Sequence, residues 1–490
     1  MLQKLRTHWS SGQDNDGSHL KWGRGLVATV SVAVIGLVAP LEGAEAFRPI
    51  STKAIGGKPS PEIPKYVSSL SDWGERYGGG DHFADQDWLL LGYQIRGRLE
   101  NLDRYYRQPG LPSDSGGFYG RTWAYIGIRD ILDPFRFTLE LADARRESVD
   151  FPPTSSEEDH WGFLQAYAEL YFENGFFGQA TSFQAGRFSF DAVDRRLIAR
   201  NRYRNTANAF DGLRLRFGDD KSPWTATLFA LRPVARGLDS FDNESRNERA
   251  LYGGYATLRQ NSPSLVLEPY WFYLEDERRI GRERNIHTAG LHAYGQFCDG
   301  RYDYDFSGAV QWGDINGLDH LAYAIHAELG YNFQHSWKPR LAFWLNYGSG
   351  DNDPTDGDSG RFTELFGAPF GMYGFTRYFT WENTISPVIS FSFRPVDDVR
   401  VEFLLRSYSL ASDNDVWVRS RNAMGNPRQD PTGSSGTHIG EEIDIRVRWK
   451  ATDQLLFDTG FAHFMPGSFV DRTGESKTST LVYFQATFDF

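Results

Sequence analysis

Apolar and polar residues take turns along most of this chain, and that period of two limits what it can become. Ile443, Ile445, Val447 and Trp449 alternate with Glu442, Asp444, Arg446, Arg448 and Lys450. Phe135, Phe137, Leu139 and Leu141 alternate with Arg136, Thr138 and Glu140. Leu213, Leu215 and Phe217 alternate with Arg214 and Arg216, and Val401, Phe403 and Leu405 with Arg400, Glu402 and Arg406. Successive side chains of a strand point to opposite faces, so each segment has one oily face and one wet face. The chain ends in the same way. Val482, Phe484, Ala486, Phe488 and Phe490 share one face, and Tyr483, Gln485, Thr487 and Asp489 the other. A last strand must pair on both sides or stand as an exposed edge, and closure onto the first strand removes the edge. Any one segment would suit a solvated sheet. Repeated over the whole chain, the pattern predicts an all-β fold, a single transmembrane antiparallel barrel with a lipid face and a lumen.

About 18 such segments can be counted. They start near Asp87, Phe118, Phe135, Phe163, Ser182, Phe210, Trp224, Ala250, Leu265, Asn285, Tyr302, Leu321, Arg340, Thr384, Val399, His438, Leu455 and Thr478. An even number leaves both ends on the periplasmic side. The connections give an independent test. After even-numbered segments they are short, as in Leu132-Asp133-Pro134, Asn261-Ser262-Pro263, Val396-Asp397-Asp398 and Thr452-Asp453-Gln454. After odd-numbered segments they are longer and more polar, as from Asp191 to Asn208, Gly348 to Glu382 and Ala411 to Thr437. Short periplasmic turns and long extracellular loops are what a membrane barrel requires.

The ends and the composition fit an exported barrel. Lys4, Arg6, Lys21 and Arg24 precede an apolar run over 25–40, and Ala44-Glu45-Ala46 offers a small-x-small cleavage site. Residues 1–46 therefore read as a signal peptide. Residues 47–86 are weakly periodic and read as a periplasmic lead-in that can tuck into the pore; the barrel takes 87–490. One Cys in 490 residues excludes a disulfide framework. Mean hydropathy is −0.50, as polar lumen residues offset the lipid-facing ones. The expected location is the bacterial outer membrane, among its lipid and lipopolysaccharide. A net charge of −12 makes nucleic acid an improbable partner.

Alternation assigns Arg96, Arg98, Arg121, Arg129, Arg136, Arg214, Arg216, Arg340, Arg400, Arg406, Arg446 and Arg448 to the lumen, against Glu100, Glu140, Glu169, Glu328, Glu402, Glu442 and Asp444. Any single arginine is most simply a cross-strand salt bridge. The excess as a set points to anion selectivity, because a guanidinium stays charged and matches a carboxylate fork. Trp123, Tyr125, Tyr167, Tyr171 and Trp344 add flat surfaces that suit sugar rings. The stretch Gly186–Phe217 holds eight Arg and no Lys. Folded inward it narrows the pore with positive charge; folded outward it is a patch for lipopolysaccharide phosphate. Asp351, Asp353, Asp356 and Asp358 crowd one turn-rich loop where hard oxygen ligands could hold calcium, although the EF-hand pattern is missing. That calcium is the one cofactor expected. No Gly-x-Ser-x-Gly, His-Glu-x-x-His or P-loop pattern occurs.

Gly186-Arg187-Phe188 through Phe210-Asp211-Gly212-Leu213-Arg214-Leu215 resembles a motif region of the alginate-export porin family. Pro339-Arg340-Leu341 through Tyr347-Gly348-Ser349-Gly350-Asp351 is similar to another, and Gly440-Glu441-Glu442-Ile443-Asp444 with Gly460 to Gly467 looks like the closing one. The resemblance implies an 18-stranded monomeric outer-membrane barrel with an electropositive pore that secretes a polyuronate, served by a periplasmic secretion scaffold. It adds Arg187 to Arg214 and Arg340 as pore residues, although Arg187 is in phase with Phe183 and Ala185. The family's long periplasmic loop before the penultimate strand is here the short turn Ala451 to Gln454, so residues 47–86 could take over its gating. The reading is a porin, not an enzyme, that passes an anionic, alginate-like polysaccharide from periplasm to cell surface. The alternatives are an uptake porin for small anionic or sugar-acid solutes, and a non-conducting barrel for adhesion or structure.

Overall fold

A computed structural model describes residues 63–77, 83, 85–103, 106, 114–148, 152–219, 222–259, 264–277, 283–421 and 426–490. The proposed signal peptide, residues 47–62 of the lead-in and the turn Asn261-Ser262-Pro263 lie outside the described residues. Eighteen long strands form the wall. The first six are β1 (Leu89–Asp103), β2 (Asp114–Ile128), β3 (Phe135–Ser148), β4 (Asp159–Phe172), β5 (Thr181–Phe188) and β6 (Phe210–Phe217). Then come β7 (Trp224–Ala235), β8 (Arg249–Arg259), β9 (Val266–Asp276), β10 (Arg284–Phe297), β11 (Tyr302–Ile315) and β12 (Leu318–Asn332). The last six are β13 (Arg340–Gly348), β14 (Thr384–Val396), β15 (Val399–Ser409), β16 (His438–Lys450), β17 (Leu455–Pro466) and β18 (Ser479–Asp489). Each pairs antiparallel with the next, and β18 returns to β1 from Gln94↔Asp489 to Leu102↔Leu481. The barrel is closed, with strands starting within four residues of the positions read from alternation.

Alternation sorts the two faces as expected. Along β1, Ile95 and Leu99 are exposed on the lipid side while Arg96, Arg98, Glu100 and Leu102 are buried inside. The outer face carries two aromatic rows, one near each rim, as a barrel seated in a bilayer needs. Tyr252, Tyr273, His287 and Trp312 stack in sequence toward the outer rim. Toward the periplasmic one Phe297 stacks on Tyr302, and Tyr331 meets Tyr302 and Phe333 edge-on. Most loop lengths also sort by rim, and the largest departure is at a tight hairpin. Between β11 and β12 the outer connection is only Asn316-Gly317, both left-handed (φ 58° and 79°), the geometry of a tight two-residue hairpin.

The lumen is not an open tube. The outer loops 189–209 and 349–383 turn inward and pair with each other: Ala199 N donates to Phe366 O (3.0 Å) and Phe366 N to Leu197 O (2.7 Å). Their apolar residues Phe190, Leu197, Ile198, Phe362, Met372, Phe379 and Trp381 are buried against inward wall residues such as Phe188, Phe210, Phe272, Tyr408 and Phe464. Burial of each such side chain favours the packed loop by about 1.5–3 kcal/mol. The arginine-rich stretch therefore takes the inward of its two sequence readings. At the periplasmic end β1 runs past the end of β18, and there Val67–Ser69 pairs with it antiparallel, followed by α1 (Leu70–Tyr77).

Candidate functional site: an arginine-lined vestibule

Most of the wall arginines face inward and carry an acid of their own. Arg129 pairs with Glu169 (3.0 Å), Arg406 with Asp444 (2.8 Å) and Arg446 with Asp458 (2.5 Å). Arg340 bridges Asp303 (2.5 Å) and Glu328 (2.6 Å), and Arg400 and Arg448 share Glu402. Arg136 sits at the periplasmic mouth on Asp133 (2.8 Å) and Asp130 (2.5 Å), under the Tyr171 ring; its hydrogen bond holds the Asp133 carboxyl below its usual range. Arg214 bonds Gln184 (2.9 Å) and lies over Phe188 and Phe190, with Arg216 two positions further along the same face.

The remaining wall charges hold the inward loops. Arg96 donates to the carbonyls of Arg202 (2.8 Å) and Tyr203 (3.2 Å), and Arg121 to that of Arg202 (2.9 Å). Arg406 adds Gly371 O (2.9 Å), and Glu442 accepts from Phe375 N (2.7 Å). Arg187 departs from the expected pore set. It lies in the phase of the exposed Phe183 and bonds Asp211 (2.7 Å) on the outward face, beside the carbonyls of Phe163 and Asn243. The expected aromatics act mainly as supports: Trp123, Tyr125, Tyr167 and Trp344 are buried in the wall, with Arg121 3.7 Å over Trp123.

Above the loop anchors lies a cavity of about 460 Å³ lined by both loops and the wall. Arg98, Arg204, Arg249, Arg377 and Arg419 line it, against Glu100, Glu157 and Glu364, so its charge is positive in balance. Tyr119, Tyr203, Phe366 and Phe370 supply rings, with Tyr203 stacked on Phe370 (3.3 Å, 6°). Glu100 is engaged three ways, by Arg98 (3.1 Å), Arg377 (2.6 Å) and the Tyr203 hydroxyl (2.9 Å). Arg204 bonds the Thr206 carbonyl (3.0 Å) and Asn208 Oδ1 (2.5 Å). Burial, then the neighbouring Arg236 and Arg419, pull its pKa well down. Crowded like charges of this kind are relieved by an incoming carboxylate.

Alternation missed Arg204, Arg249, Arg377 and Arg419. Arg204 belongs to the arginine-rich stretch already singled out; Arg377 and Arg419 sit in loops with no period to betray their direction. Among the described residues no group of three or more His, Cys, Asp or Glu is arranged to hold a metal. Asp351 accepts from Asp353 N (3.3 Å), Asp353 from Thr355 N (3.1 Å) and Asp356 from Asp358 N (2.9 Å), bonds that hold the turns of this loop.

A closed 18-stranded barrel with an apolar belt, two aromatic rows and a charged interior is an outer-membrane porin. The chain matches the alginate-export family over residues 87–484 and belongs to that family. It is located in the bacterial outer membrane. No curated protein matches it. Among solved structures it is similar in fold to opdK of Pseudomonas aeruginosa (10% identity, TM-score 0.56, 82% of this chain and 98% of that one). OccAB2 of Acinetobacter baumannii is also similar (11%, 0.55, 82% and 98%), as is OprD of P. aeruginosa (10%, 0.51, 91% and 97%). Family and fold are those of transport porins rather than enzymes.

Proposed function

We propose that this porin passes an anionic, alginate-like polyuronate from the periplasm to the cell surface, recognising it in the vestibule. The observation that carries the reading is the lining of that cavity, with five arginines against three glutamates and rings set between them. Guanidiniums take carboxylates two-pronged, and flat rings accept sugar faces without fixing one residue of a repeating chain. The paired arginines of the wall leave few free charges on which a polymer would stick. Membership of the alginate-export family supports the same cargo.

The test is single-channel recording in a planar bilayer under a salt gradient, followed by addition of oligouronate. Anion-selective current that oligouronate blocks is the expected result; cation selectivity would remove the basis of the proposal. A second reading, uptake of small anionic or sugar-acid solutes, draws on the two inward loops, which narrow the lumen around a small cavity. The two part on chain length. An exporter is blocked more strongly by longer oligouronates, whereas an uptake porin passes the monomer and is indifferent to length.

A further inference from the structure

The described segment ahead of the barrel is seated in the wall and reaches its interior. Val67–Ser69 extends the sheet on β1, and Pro64 and Tyr66 are buried. Gly92 makes the seat, since a side chain there would meet the Tyr66 carbonyl at 2.6 Å and Val67 at 2.7 Å. From this seat the Tyr66 ring reaches Trp123 on β2 (6.1 Å), and its hydroxyl donates to Glu140 on β3. Glu140 is fully buried and also accepts from Arg200 in loop 189–209 and from Gln165 on β4 (2.6 Å). One carboxylate thus ties together a segment from the periplasmic side, a loop from the cell-surface side and the wall. Burial, and then Glu140 itself, pushes the Tyr66 phenol well up, so it remains a donor at any physiological pH.

The junction continues into the vestibule. Arg200 lies over the Trp123 ring (4.4 Å), and Arg121 lies over the same ring (3.7 Å) while gripping the Arg202 carbonyl. Tyr203 and Arg204, the next residues of that loop, line the cavity. We propose that residues 63–77 are a built-in gate on the periplasmic side, and that the Tyr66–Glu140–Arg200 junction couples their seating to the loop tip beneath the vestibule. The proposal rests on the porin reading, because a gate presupposes a conducting barrel. Seated, the segment places the Tyr66 ring in the interior and shares the carboxylate that fixes Arg200. Withdrawn, it removes the Tyr66 ring from the interior and leaves Glu140 to Arg200 and Gln165.

The test uses the full mature chain in planar bilayers. Tyr66→Phe removes one hydroxyl and keeps the ring. Loss of a buried hydrogen bond to a carboxylate should raise the ratio of open to closed time about tenfold. A second variant pairs Ser68→Cys with Leu91→Cys, which are register partners, on a Cys298→Ser background. Oxidation should hold the channel in its low-conducting state, and a reducing agent should restore gating. Unchanged gating in Tyr66→Phe, together with identical records from the oxidised and reduced pair, would overturn the gate. The reversal potential reads selectivity separately. An anion-selective channel indifferent to both variants refutes the gate alone, and a cation-selective channel that responds to them refutes the proposed cargo alone.

Discussion

Replacing Arg406 by Met should be among the most damaging single changes to this barrel that leave its wall ladder intact. The guanidinium is fully buried, with Nε on Asp444 at 2.8 Å, Nη2 on Gly371 O at 2.9 Å and Nη1 on Met372 O at 3.3 Å. Methionine keeps the reach and the apolar contacts, including those near Trp344, and removes the charge. Asp444 is then a fully buried carboxylate beside the equally buried Glu442, with its guanidinium gone. Breaking a buried pair on one side costs about 3–5 kcal/mol. The stranded carbonyls of the inward loop are included in that figure rather than added to it. A loss of about 4 kcal/mol is roughly three decades in the unfolding equilibrium constant. Equilibrium urea unfolding in liposomes, followed by tryptophan fluorescence, measures it. Adding Asp444→Asn removes the stranded charge and should recover about half of the loss, and Asp444→Asn alone, which strands the buried guanidinium, closes the double-mutant cycle. An Arg406→Met cost below about 1 kcal/mol, or no recovery in the double variant, would refute the argument that this arginine is a loop anchor with a buried counter-charge.

Arg377→Gln and Arg419→Gln should each raise the half-blocking concentration of oligouronate about tenfold in the bilayer assay, the scale of one lost guanidinium–carboxylate contact. Leu213→Arg puts a charge on the lipid face, where Leu213 is 61% exposed, and should cost about 2–4 kcal/mol in the liposome assay if it lies near the bilayer midplane. Gly440→Ala should prevent recovery of a heat-modifiable barrel, because φ is 147° and the new methyl would overlap the Met465 carbonyl on β17. In the outer loop, Asp430 accepts from Thr432 Oγ1 (2.7 Å) and Ser435 N (2.8 Å), which hold its carboxyl below the usual range. A depressed folded value gives stabilisation that is present above the unfolded value of about 3.9 and is lost as pH falls through the folded one. Asp430→Ala should therefore speed amide exchange at Thr432 and Ser435 at pH 6, with the difference fading in strong acid.

The wall was legible because its signal is local. A residue's face in a strand depends only on its neighbours two positions away, so Ile95 and Arg96 declare opposite sides without knowledge of the rest. Where the local rule is bent, the reading slips. Arg187 follows Gly186, whose φ is 136°, and shares the outer face with Phe183 and Asp211 although a family motif suggested the pore. The rim rule slipped at Asn316-Gly317 for the opposite reason. There a turn signal stronger than loop parity sits in plain sight. The loops were not legible. Nothing in the spacing of Arg377 or Arg419 says that they point into a cavity, because that follows from contacts such as Phe366 with Leu197, far apart in the chain. The same gap explains why the sequence gives an excess of inward arginines without naming the partner of each. Alternation gives the side of the barrel, but not whether an acid or a loop carbonyl is waiting there.

The short ladder between Leu197–Ala199 and Phe366 also bears on how such a protein can diverge. Three of the vestibule arginines, at 204, 377 and 419, stand on loops, whereas the hydrogen bonds that close the barrel run between strands. The vestibule lining is therefore only partly separable from the scaffold: Arg98 and Arg249 stand on β1 and β8, while the three loop arginines can change without disturbing the wall. The ladder limits that freedom. Loops 189–209 and 349–383 support one another across the lumen, so they form one heritable module. A graft of either loop alone from a relative should arrive without its pairing partner, while a graft of both should keep the ladder and bring the positions of Arg204 and Arg377 with it.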